Sequence, residues 1–126
     1  MRVGRWLAPA AAAAAALALA ASGGSAAART AAPSHLQVTE IEYRLLLSRA
    51  VVHAGAVQLE DIDGGMDPHD LRLRRGRSGA AIDVPLLEPG QRWDGVVHLR
   101  AGVYHLWCPL PGHWQLGMRA TLRVVG

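Results

Sequence analysis

The residues best suited to chemistry lie near the C-terminus, where the only cysteine of the chain, Cys108, is followed by His113 and Met118. They share one segment with an even Cys-x4-His-x4-Met spacing, Cys-Pro-Leu-Pro-Gly-His-Trp-Gln-Leu-Gly-Met. A thiolate, an imidazole and a weak thioether suit a copper ion that alternates between Cu(I) and Cu(II), and copper sites of that kind use two histidines, one cysteine and a distant methionine. The second histidine must come from elsewhere, and His69 in Met-Asp-Pro-His-Asp-Leu is the best-placed candidate.

The loop between the cysteine and the methionine is suited to holding a metal. Cys108 ends one predicted strand, Met118 begins the last one, and His113 lies on the tight loop between them. Two prolines stiffen this loop and two glycines permit its turns, namely Pro109, Pro111, Gly112 and Gly117. His69 begins a strand directly after Asp67-Pro68, so we expect it at the same end of the domain.

The N-terminal quarter has the pattern of a secretory signal peptide. Arg2 and Arg5 precede an apolar run over residues 6–21 that is almost entirely Ala and Leu, and small residues follow up to Ala28. A basic start, an apolar middle and a small-residue cleavage region are typical of export signals. We therefore predict a signal peptide over residues 1–28 and a location in the periplasm or outside the cell. The alternative is an uncleaved membrane tether, although the run is shorter than the roughly 20 residues that span a bilayer.

Composition limits the function classes. Removal of the signal peptide would leave 98 of the 126 residues, enough for one small domain. All 13 basic residues are arginines, and 11 of them would remain against 10 acidic residues, so nothing favours nucleic-acid binding. Cys108 has no partner for an intramolecular disulfide in an oxidising compartment. Metal ligation would account for it, and a buried, inert cysteine is the alternative.

From Leu36 onward, apolar and polar residues alternate in short runs that Gly and Pro turns separate. This alternation is typical of strands with one buried face, and seven such runs predict an all-β, antiparallel β-sandwich. Residues 29–35 are predicted to be a flexible lead-in. The apolar parity shifts between Val38 and Ile41, which predicts a bulge or bend near Glu40.

The segment from Gly102 to Val124, which contains Tyr-His-Leu-Trp-Cys-Pro-Leu-Pro-Gly-His and Gly-Met-Arg-Ala-Thr-Leu, resembles the C-terminal signature of the cupredoxins. Within them it looks most like the plastocyanin/azurin-type small blue copper proteins. Ala-Gly-Ala-Val at 54–57 and Pro-His-Asp-Leu at 68–71 agree with the family's layout. The resemblance implies an antiparallel Greek-key β-sandwich of about seven to eight strands, here a copper-binding domain over residues 36–126.

The resemblance also implies a site. One mononuclear type 1 copper ion would be held by four ligands, His69, Cys108, His113 and Met118. Asp70 stands where the family commonly has an asparagine that braces the cysteine loop. Groups next to the ligands tune a metal, and an ionised carboxylate there would favour Cu(II) and lower the reduction potential.

The function that the resemblance implies is single-electron transfer between redox proteins by Cu(I)/Cu(II) cycling. The electron would pass through His113, with an apolar patch around it for brief contact with a transient partner, formed by Leu110, Pro111 and Trp114. Trp107, next to Cys108, is a second candidate for electron entry, and an edge-covering aromatic is the alternative. The basic cluster at Arg72, Arg74, Arg75 and Arg77 is either a solvated face or a docking surface for an acidic redox partner.

Other function classes remain as alternatives. An exported copper carrier or storage protein would deliver copper rather than electrons, and a metal-free scaffold would serve as an interaction module. Catalysis is not expected, because a multicopper enzyme would need further copper ligands, with histidines directly flanking the cysteine, and a dinuclear centre would need a second cysteine. We expect a monomer with no small-molecule substrate.

Overall fold

The computed structural model describes residues 32–126, which fold into two packed β-sheets. The predicted signal peptide lies outside the described residues. The strands within them are β1 Ser34–Ile41, β2 Arg44–Leu47, β3 Val51–His53, β4 Gly55–Asp63, β5 Arg72–Arg75, β6 Ala81–Asp83, β7 Arg92–Leu99, β8 Gly102–Trp107 and β9 Arg119–Val125. One sheet has the order β2-β1-β4-β7 and the other β3-β9-β8-β5-β6. The predicted all-β sandwich is confirmed.

The pairing is mixed rather than wholly antiparallel. β1 pairs with β4 in parallel, and so does β3 with β9, while the other pairs are antiparallel. The chain leaves β2 for the opposite sheet at β3 and returns as β4 beside β1, where it runs in the same direction as β1. The periodicity within a strand carries no information about this connection.

The two sheets bury one face each, as the alternation of residues predicts. β1 buries Leu36 and Val38, β4 buries Val57 and Leu59, and their polar neighbours face outward. The opposite sheet contributes a second inner face, with Leu73 on β5, Leu106 on β8 and Leu122 on β9. Removing this apolar area from water is the main favourable term in folding. The described residues form one compact unit.

The predicted bulge near Glu40 is wrong. β1 keeps its alternation through Glu40, which is fully buried, and then the chain reverses so that β2 pairs with β1 and Leu45 lies opposite Glu40. The parity shift in the sequence therefore marks a hairpin. The strand also begins earlier than predicted, because Ser34 and His35 of the expected lead-in pair with Val57 and Gln58.

Three carboxyl groups lie in the interior among these strands. Glu40, Asp61 and Asp63 are each fully buried, and Glu40 is paired with Asp63 in the register of β1 and β4. Burial, reinforced by the neighbouring Asp61, raises the pKa of Glu40 to about 9. Burial likewise raises the pKa of Asp61 to about 6. The interior thus holds at least one neutral carboxylic acid at neutral pH.

The described part of the chain contains no helix long and apolar enough to cross a membrane.

Candidate metal centre

Strand register places the segments that carry the predicted ligands at one end of the sandwich. β8 and β9 are antiparallel, so the end of β8 at Trp107 lies beside the start of β9 at Arg119. β5 is antiparallel to β8 with Arg72 opposite Trp107, which puts the start of β5 at that end too. Cys108 directly follows β8 and Met118 directly precedes β9, while His69 lies three positions before the start of β5, in an isolated bridge to Leu87. Three separate parts of the chain therefore meet here.

Three donor atoms converge at this point. The Nδ1 atoms of His69 and His113 are 3.3 Å apart, and the Sγ of Cys108 is 3.4 Å from Nδ1 of His113. The donor atoms of the three residues all lie within 4.8 Å of one another. Two imidazole nitrogens and one sulfur so placed can share a single metal ion.

Cys108 is held in a dry, hydrogen-bonded position. The residue is fully buried and its thiol is free. Burial raises the pKa of the Cys108 thiol, while the backbone N–H groups of Asp70 and Leu110, directed at the sulfur, act against this rise. Those N–H groups would stabilise a thiolate, so the surroundings of the sulfur suit the form that binds metals.

Met118 is fixed to the other two residues of the loop through its backbone. Its carbonyl accepts the N–H of Cys108 at 3.1 Å, and its own N–H donates to the carbonyl of His113 at 3.0 Å. The side chain is fully buried. Gly117 before it has φ +110°, a conformation that a side chain would strain, so the glycine there is required by the turn. The loop therefore holds Cys108, His113 and Met118 as a unit.

A residue that sequence analysis missed, Glu42, holds the far side of His69. Its Oε1 lies 3.2 Å from Nε2 of His69 and also accepts the backbone N–H groups of Met66 and Asp67. These hydrogen bonds lower the pKa of Glu42 to about 2, and those from the backbone N–H groups of Asp67 and Met66 contribute most. With Nε2–H donating to the carboxylate, Nδ1 of His69 is left free to face His113.

Gly65 makes room for this contact. A Cβ there would lie inside contact distance of Oε1 of Glu42 and 2.9 Å from Nε2 of His69. The Asp63-Gly64-Gly65 sequence indicated a turn, but nothing local in it indicated that this turn covers a glutamate from the β1–β2 turn.

Asp70 reaches the cysteine in an unexpected way. Its backbone N–H is directed at Cys108, while its carboxylate accepts the N–H of Leu71. Burial is the main cause that raises the pKa of Asp70. The contact to the cysteine therefore comes from the main chain, and any residue other than proline would supply it. The side chain of Asp70 lies beside the site.

The predicted docking residues differ in how far their side chains are exposed to solvent. Pro111 and Trp114 are exposed, whereas Leu110 is half-buried and packs against the core. His113 is half-buried, with the ring of Tyr43 edge-on at 5.1 Å between centroids. Trp107 lies half-buried on the outer face of the five-stranded sheet.

The fold is that of known copper proteins. Auracyanin A, a "blue" copper protein from Chloroflexus aurantiacus, superimposes with a TM-score of 0.60 at 18% identity, over 74% of this chain and 99% of its own. Auracyanin from Roseiflexus castenholzii gives 0.59 at 16% identity, over 75% and 99%. A multicopper oxidase gives 0.53 at 14% identity, over 71% of this chain and 41% of its own. No family model and no curated protein sequence matches the chain.

The chain therefore has the cupredoxin fold, shared by small copper proteins and by a domain-sized part of an oxidase. The donor set fits one mononuclear copper ion, because two imidazoles and a thiolate converge and a methionine is fixed to the same loop.

Proposed function

We propose that this protein is an exported carrier of single electrons that works with one type 1 copper ion. The observation that carries the proposal is the convergence of His69, Cys108 and His113 around a fully buried sulfur on a cupredoxin fold. A bound copper ion would supply the one-electron Cu(I)/Cu(II) chemistry. Export rests on the N-terminal sequence pattern.

The ligand set we propose is His69, Cys108, His113 and Met118. His69 is held from behind by Glu42, and the loop residues are tied together by backbone hydrogen bonds. Positions restrained in this way need little movement when the charge of a bound ion changes. A small rearrangement favours fast electron transfer, whereas a carrier that releases copper needs an open, exchangeable site.

His113 is the proposed exit for the electron. It is the ligand with partial exposure, whereas His69 and Cys108 are fully buried. The exposed Pro111 and Trp114 beside it offer apolar surface of the kind that brief protein contacts use. Catalysis on a substrate is not part of the proposal, because Trp107 and Pro109 flank Cys108 where histidines would be needed for further copper.

The test is the visible absorption spectrum of the domain, residues 31–126, after addition of Cu(II). We expect an intense thiolate-to-copper band that a reductant bleaches and an oxidant restores, and that Cys108→Ser abolishes. His105→Gln is the matched control, because His105 is an exposed histidine on β8 whose replacement should leave the band intact. Copper binding without an intense band would indicate a carrier instead, and absence of copper binding would refute both functions.

A further inference from the structure

A groove on the outer face of the five-stranded sheet lies beside the ligand loop and is independent of the donor atoms. Its volume is 720 Å³, and its lining includes Arg74, Trp107, Trp114 and Arg119. We call it the Trp–Arg groove. Trp107 directly precedes Cys108 and Trp114 directly follows His113, so both aromatic walls adjoin proposed copper ligands.

The groove is built by strand register. Arg72, Trp107 and Arg119 lie opposite one another across β5, β8 and β9, and the next outward row is Arg74, His105 and Thr121. Residues two apart on a strand face the same side, so both rows project from the outer face. The inward residues between them, such as Leu73 and Leu106, belong to the core.

Aromatic stacking holds the two guanidinium groups in place. The guanidinium carbon of Arg119 lies 4.6 Å from the ring centroid of Trp114, and that of Arg74 lies 5.3 Å from the ring centroid of Trp107. Arg119 also donates to the carbonyl of Trp114 at 3.0 Å. Stacked guanidinium groups keep their in-plane N–H donors available for carboxylates.

The charge in the groove is uncompensated. Two other arginines of the described residues are paired with acids, Arg72 with Asp83 and Arg92 with Glu60 and Asp94. In residues 32–126, neither Arg74 nor Arg119 forms an ion pair with a carboxylate, and no acidic side chain lines the groove. A positively charged recess of this kind attracts and orients a negatively charged partner.

We propose that the Trp–Arg groove is the docking site for the acidic surface of a redox-protein partner. This inference rests on the proposed electron-transfer function and names the chemistry of the partner. Side chains of Asp and Glu that protrude from the partner would enter between the tryptophans and pair with Arg74 and Arg119. A protein is favoured over a lipid surface because the charges line a recess between aromatic walls, which a protruding carboxylate can enter and a flat layer of headgroups cannot fill.

The probe is a hexaglutamate peptide, titrated into the 15N-labelled Cu(I) domain and, separately, into the metal-free domain. We expect amide chemical-shift changes on β5, β8 and β9 around His105 and Thr121, and weaker binding as salt rises to about 0.3 M because of screening. Arg74→Gln and Arg119→Gln should each weaken binding about fivefold, typical of one exposed charge pair. The metal-free titration keeps this result separate from failure of the copper proposal.

Arg100→Gln is the matched control, since Arg100 is an exposed arginine at the opposite end of β8 and should leave the affinity unchanged. Arg74→Lys and Arg119→Lys keep the charge and should retain most of the binding. Equal losses in Arg100→Gln and Arg119→Gln, or shift changes confined to other surfaces, would overturn the proposal. So would binding of phosphatidylglycerol vesicles in the groove without binding of the peptide.

Discussion

The carboxylate of Glu42 supports His69 from the side opposite Cys108 and His113. One oxygen, Oε1, lies 3.2 Å from Nε2 of His69 and is itself anchored by two backbone N–H groups, with that of Asp67 at 2.8 Å. Hydrogen bonds to a charged acceptor are stronger than neutral ones. The ring of His69 is therefore fixed in orientation and in tautomer by a residue 27 positions earlier in the chain.

Replacing Glu42 should weaken copper binding without unfolding the domain. Glu42→Ala removes the support and is expected to lower copper affinity about 10- to 100-fold, as loss of such partners does in other metal sites. Glu42→Gln retains an acceptor oxygen but not the charge, so it should bind copper more tightly than the alanine variant and have a higher reduction potential than wild type. Chelator competition and redox titration measure the two quantities. Glu88→Gln, at an exposed turn, is the control and should leave copper affinity unchanged. An unchanged copper affinity in Glu42→Ala would refute the role of Glu42 in supporting His69.

Gly65→Ala should reproduce the effect of Glu42→Ala from a second position. The new methyl group would occupy the space of Oε1 of Glu42, so the carboxylate must move away from His69. Copper affinity should fall in the same direction as in Glu42→Ala. Gly64→Ala is the neighbouring control. Its nearest contact would be the methyl group of Thr39 at 3.2 Å, and neither Glu42 nor His69 lies among its near neighbours. In the double variant the new methyl group would still lie 2.9 Å from Nε2 of His69, so Gly65→Ala combined with Glu42→Ala should bind copper more weakly than Glu42→Ala alone.

The buried Glu40 should make stability depend on pH. Its pKa is about 9 in the folded protein against 4.5 for an ordinary glutamate, so folding binds a proton. The contribution of the Glu40 proton to the free energy of unfolding is fully present below pH 4.5, and it is lost progressively as the pH rises to about 9. Asp61 acts in the same direction between pH 3.8 and about 6. We expect the urea midpoint of the metal-free domain to fall over this range.

Glu40→Gln should flatten that profile, because the amide does not ionise. Near pH 8.5 the variant should be the more stable protein, since wild type must keep a proton on Glu40 or bury a charge. The metal-free form is used because copper binding is itself pH-dependent. Equal slopes for wild type and Glu40→Gln would show that Glu40 is not the group responsible.

Asp70→Asn should raise the reduction potential. The carboxylate places a negative charge beside the site, and Cu(II) gains more from it than Cu(I) does. At an effective dielectric of about 20, a unit charge several ångströms away contributes about 1–2 kcal/mol, which corresponds to tens of millivolts. The backbone N–H directed at Cys108 is kept in the variant, so the absorption band should change little. A potential identical to wild type would exclude an electrostatic role for the side chain.

Local sequence patterns predicted much of this protein. The period-two alternation indicated the sandwich because one face of each strand must leave water, and it identified buried residues such as Leu106 and Leu122. It misjudged the region of Glu40, where a buried acid occupies a position that the pattern assigns to apolar residues. A hairpin turn and a bulge shift the parity in the same way, so only strand pairing distinguishes them.

What the sequence by itself determined was the donor types and their loop, because Cys108, His113 and Met118 lie in one short segment whose backbone bonds are local. Tertiary structure decided which distant groups meet that loop. Glu42 reaches His69 because the β1–β2 turn packs against the residues after β4, and Arg74 reaches Trp107 because of the register of β5 on β8. Register is set by long-range pairing of strands, and no periodicity within a single strand encodes it.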